Sequence, residues 1–134
     1  MPIDVYAPEG TFPQERGTEV LRLLTECLLK WTDASDLPIA RNNTVAYLHV
    51  LPHAYVVAGG TPSSIVRIDV KLPEVVLSTI ERRRGFIADA TEIVGAVSVG
   101  GRDVERTLIT VSNAVDGGWG IGGRAITNAE LDDL

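Results

Sequence analysis

Apolar and polar residues alternate in PIDVYAPE (2–9) and again in RIDVKLPE (67–74), the period of a strand with one buried face. In the second segment Ile68 and Val70 share one face, and Arg67, Asp69 and Lys71 share the other. Helical periods follow each segment. Val20, Leu21, Leu24, Leu28 and Trp31 form one apolar stripe, and Ile80, Ile87, Ala90, Val94 and Val97 form a second. VAYLHVL (45–51) and TLITVSN (107–113) are rich in β-branched or aromatic residues and predict two further strands. Each runs through a short link into a glycine pair, Gly59-Gly60 or Gly122-Gly123, which predicts a hairpin.

The chain is therefore one unit written twice, over about 2–62 and 67–126, with an offset of 65 residues between Ile3-Asp4-Val5 and Ile68-Asp69-Val70. Each helix is preceded by a capping-box pattern, Thr11 to Gln14 and Ser78 to Glu81, in which a hydroxyl takes an orphan N–H and the Gln or Glu reaches back. A right-handed crossover makes the two strands of each unit parallel. Two such units side by side predict an α/β fold: a four-stranded mixed sheet with both helices on one face, in a single domain spanning 1–134. The opposite sheet face and the edges stay open, so association between copies is expected.

Composition narrows the function. An apolar fraction of 45% suits a globular core. The chain has no run of ~20 apolar residues that could span a bilayer, and its start lacks signal-peptide character, so a cytoplasmic protein with no membrane partner is expected. One cysteine, Cys27, forms no internal disulfide, and with two histidines it gives no metal-ligand spacing. Cys27 reads as core and His49, alternating within a strand, as a hydrogen-bonded structural histidine. A net charge of -6 argues against a nucleic-acid partner. The basic run Arg82-Arg83-Arg84 reads as a solvated helix face or an interface.

Three features together resemble the tautomerase superfamily: Pro2 directly after Met1, the strand-helix-strand unit that it opens, and Gly118-Trp119-Gly120-Ile121-Gly122-Gly123 after the last strand. The last segment is similar to the phenylalanine-glycine-isoleucine-glycine-glycine ending of the 4-oxalocrotonate tautomerase branch. The stretch from Leu48 to Pro52 and on to Gly59-Gly60 is similar to a strand of macrophage migration inhibitory factor. The resemblance implies a homotrimer, no metal or organic cofactor, and Pro2 as the catalytic group. Once Met1 is removed, the Pro2 nitrogen is a free secondary amine, titrating near ~8 and lowered further by burial and nearby cations. It can then act as a general base.

Family substrates are typically small 2-oxo acids or their enols, which need cations for the carboxylate and donors for the enolate oxygen. By family position Arg106 is the first candidate for the carboxylate, Arg41 the second and Lys71 the third, with Trp119 as an apolar pocket wall. Each has a plainer alternative. Arg41, in the loop-like stretch RNN, also reads as a surface charge; Lys71 can pair with Asp69 or Glu74; Trp119 can pack against a neighbouring subunit. The sequence also departs from the pattern. Thr11-Phe12 stands where the 4-oxalocrotonate branch has an arginine, Leu72-Pro73-Glu74 replaces an arginine-rich segment of the malonate semialdehyde decarboxylase branch, and Arg67 replaces a second proline. These losses disfavour a hydratase, decarboxylase or dehalogenase that uses protonated Pro2. If Met1 is retained, the nitrogen is a tertiary amide and the chain is expected to be a non-catalytic trimeric scaffold.

Overall fold

The computed structural model describes residues 1–132. Four strands form one sheet: β1 (Pro2–Pro8), β2 (Val45–Leu51), β5 (Val66–Pro73) and β6 (Thr107–Ala114), in the order β2-β1-β5-β6. Strands β1 and β2 run parallel, as do β5 and β6, while β1 and β5 run antiparallel at the centre. Asp4 pairs with Asp69, its own repeat counterpart, so a pseudo-twofold axis passes between the two carboxylates. The expected mixed sheet is present.

Two helices, α1 (Gly17–Trp31) and α3 (Ile80–Val97), cover one face. Beneath them Ile3, Val5, Val66, Ile68 and Leu72 are fully buried, and the helices contribute Val20, Leu24, Leu28, Ala90 and Val94. The stripe predicted for α3 holds at Ala90, Val94 and Val97 but fails at its start. Ile80 is exposed at 47%, whereas Phe86 is completely buried. Gly85 lets the two helices approach: a Cβ there would stand 2.2 Å from the Trp31 ring. Trp31 Nε1 in turn donates to Asp89 Oδ2 at 2.8 Å.

Neither helix start forms the full capping box. Pro13 is extended (φ -55°, ψ 138°), so Gln14–Arg16 makes only a 3-10 turn, and α1 begins without a side-chain cap. The Thr11 hydroxyl instead donates back to the Pro8 carbonyl at 2.7 Å. In the second repeat the cap is Thr79 rather than Ser78, its oxygen accepting from Arg82 N. The predicted loop around Arg41 is a short helix, α2 (Pro38–Asn43), with proline at its favoured first turn.

Both glycine pairs turn hairpins, as the sequence predicts. Strands β3 (Val57–Ala58) and β4 (Thr61–Pro62) flank Gly59-Gly60, and β7 (Trp119–Ile121) and β8 (Arg124–Ile126) flank Gly122-Gly123. Each pair has φ of 58° and 80°, the left-handed values that tight hairpins need and glycine adopts at no steric cost. A last short helix, α4 (Asn128–Asp132), follows.

Candidate active site

Pro2 opens the central strand β1, and the residue before it is not loose. Met1 is buried at 8% exposure, its amine donates to the Asn43 carbonyl, and its own carbonyl accepts from Val45 N at 3.1 Å. Burial pushes the Met1 amine from its ordinary 8.0 down to about 5, because the charged form loses water. Met1 sits against a cavity of about 280 Å³, walled by Leu37, Ile39, Val75, Val76, Trp119 and Ile121, with no charged side chain in the lining among the described residues. With Met1 in place the Pro2 nitrogen is an amide and has no basic lone pair. Cleaving that bond would create the amine beside the apolar cavity that Met1 now lines.

The other side of Pro2 faces the open sheet surface, in a polar cleft shared with Asp4, Arg67, Asp69, Lys71 and Thr110. The two facing carboxylates each have a partner: His49 Nε2 lies 2.8 Å from Asp4 Oδ1, and Arg67 Nε donates to Asp69 Oδ1 at 2.9 Å. Tyr6 stacks on the His49 ring at 4.4 Å. The structural reading of His49 holds. Because Arg67 holds Asp69, the expected Lys71–Asp69 pair does not form, and Lys71 joins none of the ion pairs among the described residues. By register Lys71 stands opposite Pro2, one residue beyond the Val70 that pairs with Ile3.

The remaining candidates are dispersed. Trp119 lines the Met1 cavity. Arg41 points away on α2, donating to Glu26 Oε1 at 2.6 Å and to the Ser35 carbonyl. Arg106 closes a 3-10 turn (Val104–Arg106) ahead of β6, whereas Pro2 lies near the far end of that strand. Six residue steps separate Arg106 from Ser112, which pairs with Lys71, so about 20 Å separates it from the Pro2 level. One chain does not bring Arg106 and Pro2 together.

Leu37, Ile39 and Asn43 belong to the site and escaped the sequence reading. The one available signal was Pro38, which favours the first turn of a helix and could have marked α2. Cys27 is core, its thiol pushed up to about 11 by burial, then by Asp89. Arg82 and Arg83 anchor α3, donating to the Trp31 and Leu77 carbonyls. Among the described residues no group of three His, Cys, Asp or Glu side chains could hold a metal ion. None of the described helices is long and apolar enough to cross a membrane.

In sequence, no family model and no curated protein matches the chain. In structure it is similar to a wild-type fused 4-OT asymmetric trimer, with 22% identity and a TM-score of 0.79 over 98% of each chain. It is also similar to a member of the cis-3-chloroacrylic acid dehalogenase family, with 16% identity and a TM-score of 0.80 over 99% of this chain and 88% of that one. A malonate semialdehyde decarboxylase inhibited by 3-bromopropiolate superposes with 17% identity and a TM-score of 0.73 over 100% and 98%. Across proteins of different named activities, what is common is the backbone: this chain has the tautomerase superfamily fold.

Proposed function

We propose that the chain is a tautomerase of small 2-oxo acids or their enols, working as a cytoplasmic homotrimer with the Pro2 amine as general base. The carrying observation is the position of Pro2, which opens the central strand next to the Met1 that lines an apolar cavity and in a cleft with Lys71, which joins no ion pair among the described residues. In the reaction the amine takes a proton from carbon or from the enol oxygen and returns it to the other atom. Trp119 and its neighbours hold the substrate's apolar part and keep water out, which strengthens every charge interaction inside. Lys71 is the carboxylate partner available within the same chain. Arg106 could serve only from another copy. That requirement, the open sheet face and the trimeric relative support a trimer.

A second reading has its own observation. Met1 is packed into the core and its amine is hydrogen-bonded, so a chain that keeps Met1 has a satisfied N-terminus and no base. Such a chain would be a scaffold. Intact mass of the natively produced protein, followed by a phenylpyruvate enol ketonisation assay against Pro2→Ala, separates the two. The tautomerase reading expects a trimmed chain whose rate falls at least about 100-fold in the variant. Retained Met1 with no rate above buffer would replace it with the scaffold reading.

A further inference from the structure

The repeat that builds the fold also builds its cavities in pairs. A second cavity, of about 380 Å³, lies at the other end of the sheet. Pro8, Gly10, Thr11, Val99 and Arg102 line it, and each stands 65 residues from a lining residue of the Met1 cavity: Pro73, Val75, Val76, Ala34 and Leu37. The local turns correspond as well. Thr11 N donates to the Pro8 carbonyl at 3.2 Å, and Val76 N donates to the Pro73 carbonyl at 3.1 Å.

What differs is the chemistry. The Met1 cavity has Leu37 where this one has Arg102, and Arg106 stands with Arg102 in the lining. Glu9 and Asp103 also line the cavity, yet neither forms an ion pair with the arginines among the described residues. Arg102 donates through Nη2 to the Ser64 carbonyl, while its Nε and Nη1 are enclosed with no acceptor among the described residues. Enclosed donors without acceptors carry a standing cost, and a rotation of the guanidinium toward an entering oxyanion would remove it. Its fork matches the two oxygens of a carboxylate or phosphate. Burial and the neighbouring Arg106 both lower the Arg102 pKa, as uncompensated positive charge would.

The repeat-related cavity has no terminal amine. Arg67, opposite Pro2 in the repeat, is preceded by Val66, which is fully buried mid-chain. We infer that this second cavity is a binding site for a small oxyanion, centred on Arg102, which holds its ligand without turning it over. It is the architectural twin of the Met1 cavity, with Arg102 where that cavity has Leu37.

The test is an amide NMR titration of the full-length protein with inorganic phosphate and, separately, with malonate. Saturating shifts confined to Gly10, Thr11, Ser98 and Arg102 are expected with one or both anions, and which one responds identifies phosphate or carboxylate as the ligand class. Arg102→Met should weaken the response at least about tenfold, and Arg102→Lys, which keeps charge without the fork, less so. Ketonisation rates should not change in either variant. No localised shift in the wild-type protein with either anion would overturn the inference without recourse to any variant. So would an unchanged response in Arg102→Met, or a parallel fall in ketonisation, which would assign Arg102 to a neighbouring copy's Pro2 site.

Discussion

Gly85→Ala sets a local preference against a packing constraint, and the structure decides between them. Alanine is favoured over glycine in a helix interior by about 0.8–1 kcal/mol, and Gly85 lies inside α3 with an ordinary backbone. On propensity alone the substitution stabilises. The added Cβ, however, would stand 2.2 Å from Trp31 Cη2 and 2.5 Å from two more ring atoms. The ring is poorly placed to yield, because its Nε1 is bonded to Asp89 and Lys30 Nζ lies 5.3 Å from its centroid. Forcing extra carbon into a packed contact costs about 1–3 kcal/mol, so the net expectation is destabilisation of up to about 2 kcal/mol. For a chain of this length each kcal/mol lowers the thermal midpoint by about 4 °C. Melts at fixed protein concentration, which matters for an oligomer, should show a fall of up to about 8 °C by that conversion. In a Trp31→Ala background the clash is gone and the same substitution should raise the midpoint. A rise in the wild-type background, or an equal fall in both, would refute the assignment of Gly85 as the seat of Trp31.

Acidification should reveal the state of the N-terminus. A buried cation whose pKa drops from 8.0 to about 5 sheds its proton on folding, so a chain retaining Met1 gains stability as pH rises from about 5 toward 8 and loses it in the reverse direction. Urea midpoints should follow that slope, and N-terminal acetylation, which removes the titrating group, should flatten it. Arg41→Ala should leave both the melt and the ketonisation rate unchanged, since its partner Glu26 is solvent-exposed and the pair lies away from Pro2. A large loss of kcat/KM in that variant would return Arg41 to a substrate pocket.

What could be read from the chain was its periodicity. The bounds of β2 agree residue for residue with VAYLHVL, and the glycine pairs mark both hairpins, because alternation and positive φ are local properties. The helix α2 could not be read in the same way: six residues are too few to show a period. Thr11 fits a capping pattern, but the extended Pro13 prevents its use, a conflict between two local rules that only the backbone settles. Phe86 lies off the predicted stripe of α3 yet is wholly buried, so the face that packs is set by the tertiary contacts rather than by that stripe. For the candidate site, the placement of Pro2 at the start of β1 and of Trp119 in a hairpin was legible because each lies beside a local sequence mark. The separation of Arg106 from Pro2 was not, since it follows from the antiparallel join of β1 and β5, which reverses the second repeat relative to the first.

The pairing of Asp4 with its own counterpart Asp69 has a consequence for chain connectivity. A pseudo-twofold fold does not care which repeat is translated first, provided the ends can be joined. Met1 and Leu131 line the same cavity, so a linker joining them would close the described residues into a ring. Reopening that ring ahead of Val66 would give a circular permutant whose free terminus opens β5 at the opposite end of the sheet, with the former start sealed into a peptide bond. Location of the reactive nitrogen would then be a matter of where the polypeptide is cut, and one scaffold could present its terminal amine at either end of the sheet.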